Sequence, residues 1–600
     1  MTQQNLDLAG SFPFDRHPHM RTGQERAVAH LEQAIGTVIH ELAVGSGKTA
    51  LGITFLEAHR KRGARQCFFI TPNKAQVGQI KELYPDHVHA VYGRSEYPCL
   101  YNPDEKLRAD EIPCTMLVEC AHRVDQDTGE TYAPGAIPCP YLRDKYLARK
   151  GDKIVVATDA FYLYVVLFSD AFSPEAVAID EVHRLAQSIR TVLSTELTDW
   201  KIERAMQAIE ETSPRQCEKL AAFLLSMKAM VKHYAFGKET LLEESQLQWL
   251  YKVLTEIDAN RLEADARNAV ASGRIDPMEE REVLKQIEDV ARSVRRFQRS
   301  LRYAMQGATA RGYPLNFVIA YGKTEMGERD KVQYRLTIKD YYVVPILEKI
   351  LPKATYAFSA TIADPQLLAF ETGVRGEFAS IPSSFPIENA RIYMPTDTAN
   401  LSLKKRDRRD KNKMLRLCVR AAKRFADKGQ RSLMLVVSNE ERKKFLTFAE
   451  EERFDAFSYD QGLSPRECAQ RFRDGQGQCL VGTVAHFGEG LDLPAQMAPI
   501  IFYYRPGYPP PDDPQSIFEA RRFGERRVWS LWRWRLMVEL LQVRGRNIRS
   551  ETDLGVTFLI SQHFRDFAFK SLPEWLKPAY RGQLTFEECV ADAEKLLLPE

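Results

Sequence analysis

One stretch, Glu41-Leu42-Ala43-Val44-Gly45-Ser46-Gly47-Lys48-Thr49, constrains what this chain can fold into more than any other. The run Thr37-Val38-Ile39-His40 leads into it, and the largely apolar Ala50 to Leu56 follows. The order is strand, glycine loop, helix. A loop of this kind aims successive backbone N–H groups and a helix N-terminus at one point, where a polyphosphate fits. Gly45, Ser46 and Gly47 would form the cradle, Lys48 would reach the β- and γ-phosphates, and Thr49 would hold Mg²⁺. Leu42 stands where the strict pattern has its first glycine, so this stretch alone also admits an ordinary glycine turn before a helix.

At 600 residues the chain is too long for a single core, and roughly two to four domains are expected. A composition of 44% hydrophobic and 28% charged residues suits packed globular domains. A formal net charge of +3 does not by itself argue for a nucleic-acid partner, so any such surface has to be local. Met1 to Arg21 is polar and lacks the apolar core of a signal peptide. No run of about 18 apolar residues is present to span a membrane. The expected location is the cytoplasm, at the nucleoid if the source is bacterial. Ten cysteines there are expected as reduced thiols or metal ligands.

Upstream of the loop, Arg21 to Val28 reads as a helix start, with Ala27, Val28, Leu31 and Ile35 on one face. Gln24 is placed to read an adenine edge with its amide; alone, it would read as a solvated helix glutamine. Gln66 to Thr71 reads as a buried strand closed by Pro72-Asn73-Lys74. Four of the ten cysteines, Cys99, Cys114, Cys120 and Cys139, then fall in a proline-rich segment with little periodic apolar pattern. Such a segment buries little core and needs another tie. Four thiolates around a metal or an iron–sulfur cluster would supply one. The irregular spacing disfavours a zinc ribbon, and zinc or four unrelated thiols stay open as alternatives. Further on, Ala176-Val177-Ala178-Ile179 runs into Asp180-Glu181-Val182-His183. A carboxylate at a strand end suits the Mg²⁺ shell, which falls to Asp180. Glu181 can orient or deprotonate the attacking water. Without the phosphate loop, the pair would read as a helix N-cap.

From about Leu185 to Met305 glycine nearly vanishes and helical spacing dominates, which marks a helical insert. Its basic cluster Arg292, Arg295, Arg296, Arg299 and Arg302 reads first as a solvated face and second as a phosphate track. Leu315–Ile319 and Tyr334–Ile338 read as strands, and Ala354–Phe358 as another that ends in Ser359-Ala360-Thr361. A linker is expected near Asp364–Phe385. Beyond it lies a second α/β unit without a phosphate loop of its own, carrying Gln542-Val543-Arg544-Gly545-Arg546-Asn547-Ile548-Arg549. Two arginines three apart share a helix face and could reach a γ-phosphate as arginine fingers. Trp529, Trp532 and Trp534 read as packing before base stacking.

The order of these pieces resembles superfamily 2 helicases, and within them the iron–sulfur group typified by XPD and DinG. Glu41 to Thr49 looks like that group's E-x-x-x-G-x-G-K-T loop, which accounts for Leu42. Asp180 to His183 is similar to a D-E-A-H box with Val182 for alanine, and Gln542, Gly545, Arg546 and Arg549 match Q-x-x-G-R-x-x-R. Gln24 sits like the adenine-reading glutamine, Thr71-Pro72-Asn73-Lys74 like the first single-strand contact, and Ser359-Ala360-Thr361 like the coupling motif. Ser383-Ser384-Phe385-Pro386 resembles the lead into the second motor domain. Thr483 through Glu489-Gly490-Leu491-Asp492 resembles the motif that touches both ATP and nucleic acid. Two departures stand out: Ser561-Gln562-His563 replaces an Asp-x-Arg pair, and the cysteine spacing fits only loosely.

The resemblance implies an α/β protein with two RecA-like P-loop motor domains, and with a Cys-rich iron–sulfur insert and a helical arch insert in the first. The expected boundaries are 1–93, 147–187 and 313–370 for the first motor domain, 94–146 for the cluster domain, 188–312 for the arch and 371–600 for the second motor domain. It implies ATP and Mg²⁺ in the cleft, with Lys48, Asp180, Glu181, Arg546 and Arg549 catalytic. Gln24, Gly45, Ser46, Gly47, Lys48, Thr49, Asp492 and Gln542 would surround the nucleotide, with Thr49 and Asp180 on Mg²⁺. His183, Ser359 and Thr361 would couple the domains, and Thr71, Ser438 and Thr483 would touch nucleic acid. A [4Fe–4S] cluster would sit on Cys99, Cys114, Cys120 and Cys139. The leading expectation is a monomeric ATP-dependent 5′→3′ DNA helicase acting on single-stranded and forked DNA, with RNA–DNA hybrids as a further substrate. The alternatives are a single-strand translocase without processive unwinding and a non-catalytic, redox-sensing DNA-binding module. Intact Lys48, Glu181, Arg546 and Arg549 argue against the last.

Overall fold

The computed structural model describes residues 6–43, 45–101, 103–114, 120–168, 172–232, 234, 239–306, 318–326, 331–382, 386–402, 407–459, 462–488, 497–545, 548 and 550–598. In chain order its strands are β1 (Val38–Leu42), β2 (Cys67–Thr71), β3 (Val88–Ala90), β4 (Ile154–Thr158), β5 (Ala176–Asp180), β6 (Thr195–Thr198), β7 (Thr240–Leu241), β8 (Val318–Met326) and β9 (Lys331–Lys339). They continue with β10 (Ala354–Ser359), β11 (Glu377–Ile381), β12 (Ala390–Tyr393), β13 (Ser432–Val436), β14 (Ala456–Phe457), β15 (Cys479–Thr483), β16 (Ile500–Tyr503), β17 (Gly555–Leu559) and β18 (Tyr580–Arg581).

The first sheet has the order β11-β1-β10-β5-β2-β4-β3, with every pairing parallel. Its inner strands are continuous apolar runs because both faces are covered. Successive side chains alternate between two cores: Ile39, Phe68 and Val155 face one, and Val38, Phe69 and Val156 face the other. Helix Lys48–Lys61 lies against the second of these faces through Leu51 and Phe55. It comes so close at Gly52 that a Cβ there would stand 2.4 Å from the Phe69 ring. The second sheet, β14-β15-β13-β16-β17-β12-β18, is also parallel throughout and is packed on both faces. The two α/β layers are the RecA-like domains that the resemblance implies.

The third sheet, β6-β9-β8-β7, is antiparallel. Leu197, Leu336 and Ile338 from it share one core with helices Asp199–Ile209, Pro214–Val231, Glu244–Thr255, Ala259–Ala271 and Arg281–Gln306. The elements that share this core run from Thr195 to Lys339. Helix Leu185–Leu193 packs into the first motor core through Leu185, Ile189 and Leu193. The hairpin of β8 and β9 reads as motor strands, yet Leu336 and Ile338 of β9 pack into the helical core instead. The linker expected at 364–385 is largely structured. It holds helix Pro365–Thr372 and β11, which pairs with β1 and extends the first motor domain to Ile381. Its edge position leaves β11 half exposed, which is why its apolar pattern is weak. Ser383, Ser384 and Phe385 lie outside the described residues.

Between Gly93 and helix Pro140–Lys150 the chain makes short turns and two isolated antiparallel bridges, Pro98 with Arg108 and Val124 with Thr131. Its small core, Leu107 and Ile112, packs with Cys99, Tyr101 and Met278 from the helical insert.

Candidate active site

Strands β1, β10 and β5 are neighbours, and their carboxyl ends deliver Glu41, Ser359 and Asp180 side by side. This edge is where open parallel sheets receive ligands. After β1 the chain turns through Gly45 and Gly47 at φ 78° and 79°, and Lys48 begins the helix. Gly47 is required twice over: its φ is left-handed, and a Cβ would lie 2.3 Å from Gln24 Nε2. Gln24 braces the loop. Its Nε2 donates to the Gly47 carbonyl at 3.3 Å and its Oε1 accepts from Arg21 N at 2.9 Å. Arg21 donates in turn to the Gly45 carbonyl at 2.5 Å. Reading adenine would require Gln24 to exchange one of these bonds. Ser46 Oγ is buried without a partner among the described residues, the mark of a group awaiting a ligand.

Lys48 Nζ stands 3.7 Å from Glu181 Oε1. Glu181 has φ 51°, a strained backbone for a residue with a Cβ, and its N–H donates to Asp180 Oδ1 at 3.0 Å. Burial and the adjacent Glu181 push Asp180 up to about 7. Burial would raise Glu181 too, but the charge of Lys48 and the Ser359 hydrogen bond draw it down, and its carboxyl lies below the usual range. Glu181 is thus kept ionised beside Lys48, as a base must be. A buried carboxylate at Asp180 fits a divalent cation, and Thr49 follows Lys48 in the first turn of the loop's helix.

A directed hydrogen-bond chain joins this carboxylate to the second motor domain. Gln542 Nε2 donates to His183 Nε2, His183 Nδ1 donates to Ser359 Oγ at 2.8 Å, and Ser359 Oγ donates to Glu181 Oε2 at 2.8 Å. The partners assign the histidine tautomer. Thr361 joins through its N–H to Ser359 Oγ at 3.0 Å. Gln542 belongs to helix Glu525–Arg544, which is shared between domains. Leu531, Trp534 and Val538 enter the first motor core, and Leu536, Met537 and Leu540 enter the second. Arg535 of this helix donates to Glu371 at 2.8 Å and to Glu519 at 2.8 Å, and Arg190 donates to Glu371 at 2.6 Å. Burial raises Glu371, but the two guanidinium groups outweigh it and bring it down to about 2. No local pattern marks Glu371 and Arg535, which are 164 residues apart. Trp532 and Trp534 are buried, as packing requires, while Trp529 is half exposed.

Thr71, Ser438 and Thr483 stand at or just beyond the carboxyl ends of β2, β13 and β15. All three hydroxyls are engaged internally. Thr71 Oγ1 donates to Gln76 Oε1 at 2.5 Å, Ser438 Oγ accepts from Glu441 N at 3.3 Å, and Thr483 Oγ1 bonds His486 Nδ1 at 2.8 Å. Asp492, Arg546 and Arg549 lie outside the described residues. In the helical insert, Arg292 pairs with Glu288 and Asp289, Arg295 with Glu263, and Arg296 with Asp340. Arg292 and Arg295 serve the insert's own packing, and Arg296, which also donates to the Val192 carbonyl at 3.3 Å, ties it to the chain that flanks it.

None of the ten cysteines is in a disulfide. Burial raises the Cys99 and Cys114 thiols, and the other thiols of the set push both the same way. Arg94 donates to Cys114 Sγ at 3.2 Å. The donor chemistry suits a thiolate-bound group. Among the described residues, however, no three His, Cys, Asp or Glu side chains are gathered as a metal-holding set.

Residues 17–231 match the family described as type III restriction enzyme, res subunit, and residues 422–579 match the family described as helicase C-terminal domain. A probable ATP-dependent helicase of Methanocaldococcus jannaschii is 23% identical, covering 95% of this chain and 95% of its own. Among solved structures, an XPD helicase superposes with a TM-score of 0.61 at 16% identity, covering 94% of this chain and 100% of that one. Xpd4 of S. tokodaii does so at 0.57 and 12%, again covering 94% and 100%. Two parallel α/β domains, a phosphate loop in one and a shared helix whose Gln542 meets His183 agree with these matches: the chain carries helicase domains, has the fold of the XPD helicases and is an ATP-hydrolysing helicase.

Proposed function

We propose that this protein is an ATP-dependent 5′→3′ DNA helicase that couples hydrolysis to translocation on single-stranded DNA and to unwinding of forked duplexes. The observation that carries this reading is the chain from Gln542 through His183 and Ser359 to Glu181, which makes the hydrolytic carboxylate answer to the second motor domain. Glu181 would take a proton from the attacking water while Lys48 steadies the γ-phosphate. Thr49 and Asp180 would hold Mg²⁺, which supplies charge neutralisation at the phosphate oxygens. Arg546 and Arg549 would stabilise the developing charge from across the cleft. Thr71, Ser438 and Thr483 would exchange their internal bonds for contacts to the strand, and Gln24 and Asp492 would line the nucleotide. The polarity, the DNA substrate, a monomeric state and a cytoplasmic location follow from the resemblance to XPD and DinG.

Cys99, Cys114, Cys120 and Cys139 would hold a [4Fe–4S] cluster, supplying the tie that a segment with so small a core needs. A brown preparation absorbing near roughly 400 nm, bleached in Cys99→Ser, is the expected result, and a colourless protein with stoichiometric zinc overturns it. The principal test compares unwinding of DNA with a 5′ or a 3′ overhang, with and without ATP. ATP-dependent unwinding from the 5′ overhang is expected. Unwinding only from the 3′ overhang, or only of RNA–DNA hybrids, overturns the reading.

A further inference from the structure

Glu41, the last residue but one of β1, is buried just ahead of the phosphate loop, yet it has no place in the chemistry above. Its Oε1 accepts from the backbone N–H groups of Ile362 at 2.9 Å and Ala363 at 2.8 Å, and its Oε2 accepts from Ser380 Oγ at 3.0 Å. A buried carboxylate is tolerated only when its bonds are made, and here three are. They hold Ala363 at φ 59°, a left-handed conformation that alanine resists.

The Ala363 N–H and the Ile362 carbonyl belong to one planar peptide group. That carbonyl accepts from Trp534 Nε1 at 2.8 Å, and Trp534 lies on helix Glu525–Arg544, eight residues before Gln542. A single peptide is therefore gripped from opposite sides. On its N–H is the strand that carries the phosphate loop, and on its C=O is the helix that reaches His183. A carboxylate on the N–H polarises the peptide and strengthens the bond that the carbonyl makes to the indole.

We propose that Glu41 and Trp534 are positioning residues that transmit the state of the phosphate loop, through the Ile362–Ala363 peptide, to the helix carrying Gln542. The inference rests on the reading that ATP binds at the Lys48 loop and is hydrolysed at Asp180 and Glu181. Neither residue touches a reacting atom. A shift of the end of β1 when the loop fills has to move this peptide or release it, and the helix responds in either case. The route runs beside the chain through His183 and converges with it on the same helix.

The test is hydrogen–deuterium exchange of the full-length protein with and without Mg²⁺ and a slowly hydrolysed ATP analogue, on the wild type, Trp534→Phe and Glu41→Gln. Steady-state ATP turnover is measured alongside. Trp534→Phe keeps a ring and removes the donor; Glu41→Gln keeps the shape and an acceptor oxygen and removes the charge. In the wild type, nucleotide is expected to slow exchange at residues 45–52 and along residues 525–544. In both variants the effect at 45–52 persists, while the effect along 525–544 falls, about tenfold in Trp534→Phe, as the loss of one buried hydrogen bond allows, and about threefold in Glu41→Gln, where the bond to the peptide N–H weakens with the charge. KM for ATP is retained and kcat falls by a similar factor, a split that general loss of fold does not produce. An undiminished effect along 525–544 in either folded variant overturns the proposal, and so does a wild-type helix that nucleotide leaves unchanged. If nucleotide fails to protect 45–52 in the wild type, the phosphate-loop reading itself falls and takes this proposal with it.

Discussion

In the first motor domain, the neighbouring strands β1, β10 and β5 carry Glu41, Ser359 and Asp180 at or next to their carboxyl ends; in the second, the neighbouring strands β13, β16 and β17 end on Val436, Tyr503 and Leu559. Both sheets have seven parallel strands with apolar interiors, so both offer the same crevice at their carboxyl edge. Build is shared and chemistry is not. Function resides in the few residues at the strand ends, which the core does not constrain. The second domain meets this edge from the end of a helix, where Gln542 bonds His183. On the proposed function, hydrolysis is thereby made conditional on how the domains sit, which is what a motor needs.

The sharpest way to break this comparison is to disarm the second domain. Arg546→Ala and Arg549→Ala are each expected to lower kcat about a thousandfold with ATP still bound, as measured by steady-state ATPase and nucleotide titration. Losses below about threefold would leave the second domain without a chemical role. On the first domain's side, Glu181→Gln is expected to cost about a hundredfold or more in kcat at nearly unchanged KM, since the ground-state contacts to phosphate remain. Gln542→Leu removes the bond to His183 and keeps the helix packing. It is expected to lower turnover about tenfold, and less when His183 is already Ala, because the two act in one chain.

Two smaller effects concern stability and are confined to the first domain. Gly52→Ala forces a Cβ against the Phe69 ring and is expected to cost about 1–3 kcal/mol, read as an earlier first transition in denaturant. His40 lies in β1 with His30 Nδ1 at 2.8 Å from its Nε2 and Tyr356 Oη at 3.0 Å from its Nδ1. Burial, aided by His30, brings it down to about 3 from the ordinary 6.5. Between those values the unfolded chain binds a proton that the folded chain refuses. Stability is therefore complete above pH 6.5 and declines as pH falls toward 3, by at most about 1.4 kcal/mol per pH unit. A thermal melt series from pH 7 to pH 4.5 should show that slope, and His40→Gln should flatten it.

Much of the fold is local and was readable. The loop at Gly45 and Gly47, the Asp180–Glu181 pair at a strand end and the apolar motor strands each rest on residues within a turn or two of one another. Sheet membership was less so. The hairpin of β8 and β9 looks like any strand pair, and only its packing on the insert's helices decides which domain owns it. The four cysteines are plain in composition, while their arrangement depends on how a nearly coreless segment drapes over its neighbours.

The sequence by itself determined that a phosphate loop, a strand-end carboxylate pair and an arginine motif share one chain, because short-range backbone preferences and residue chemistry set each of them. Only the tertiary structure decided that Gln542 meets His183 across 359 residues, and that Glu41 and Trp534 take hold of one peptide from opposite sides. Contacts at that separation have no sequence period; they exist because two packed cores share one helix.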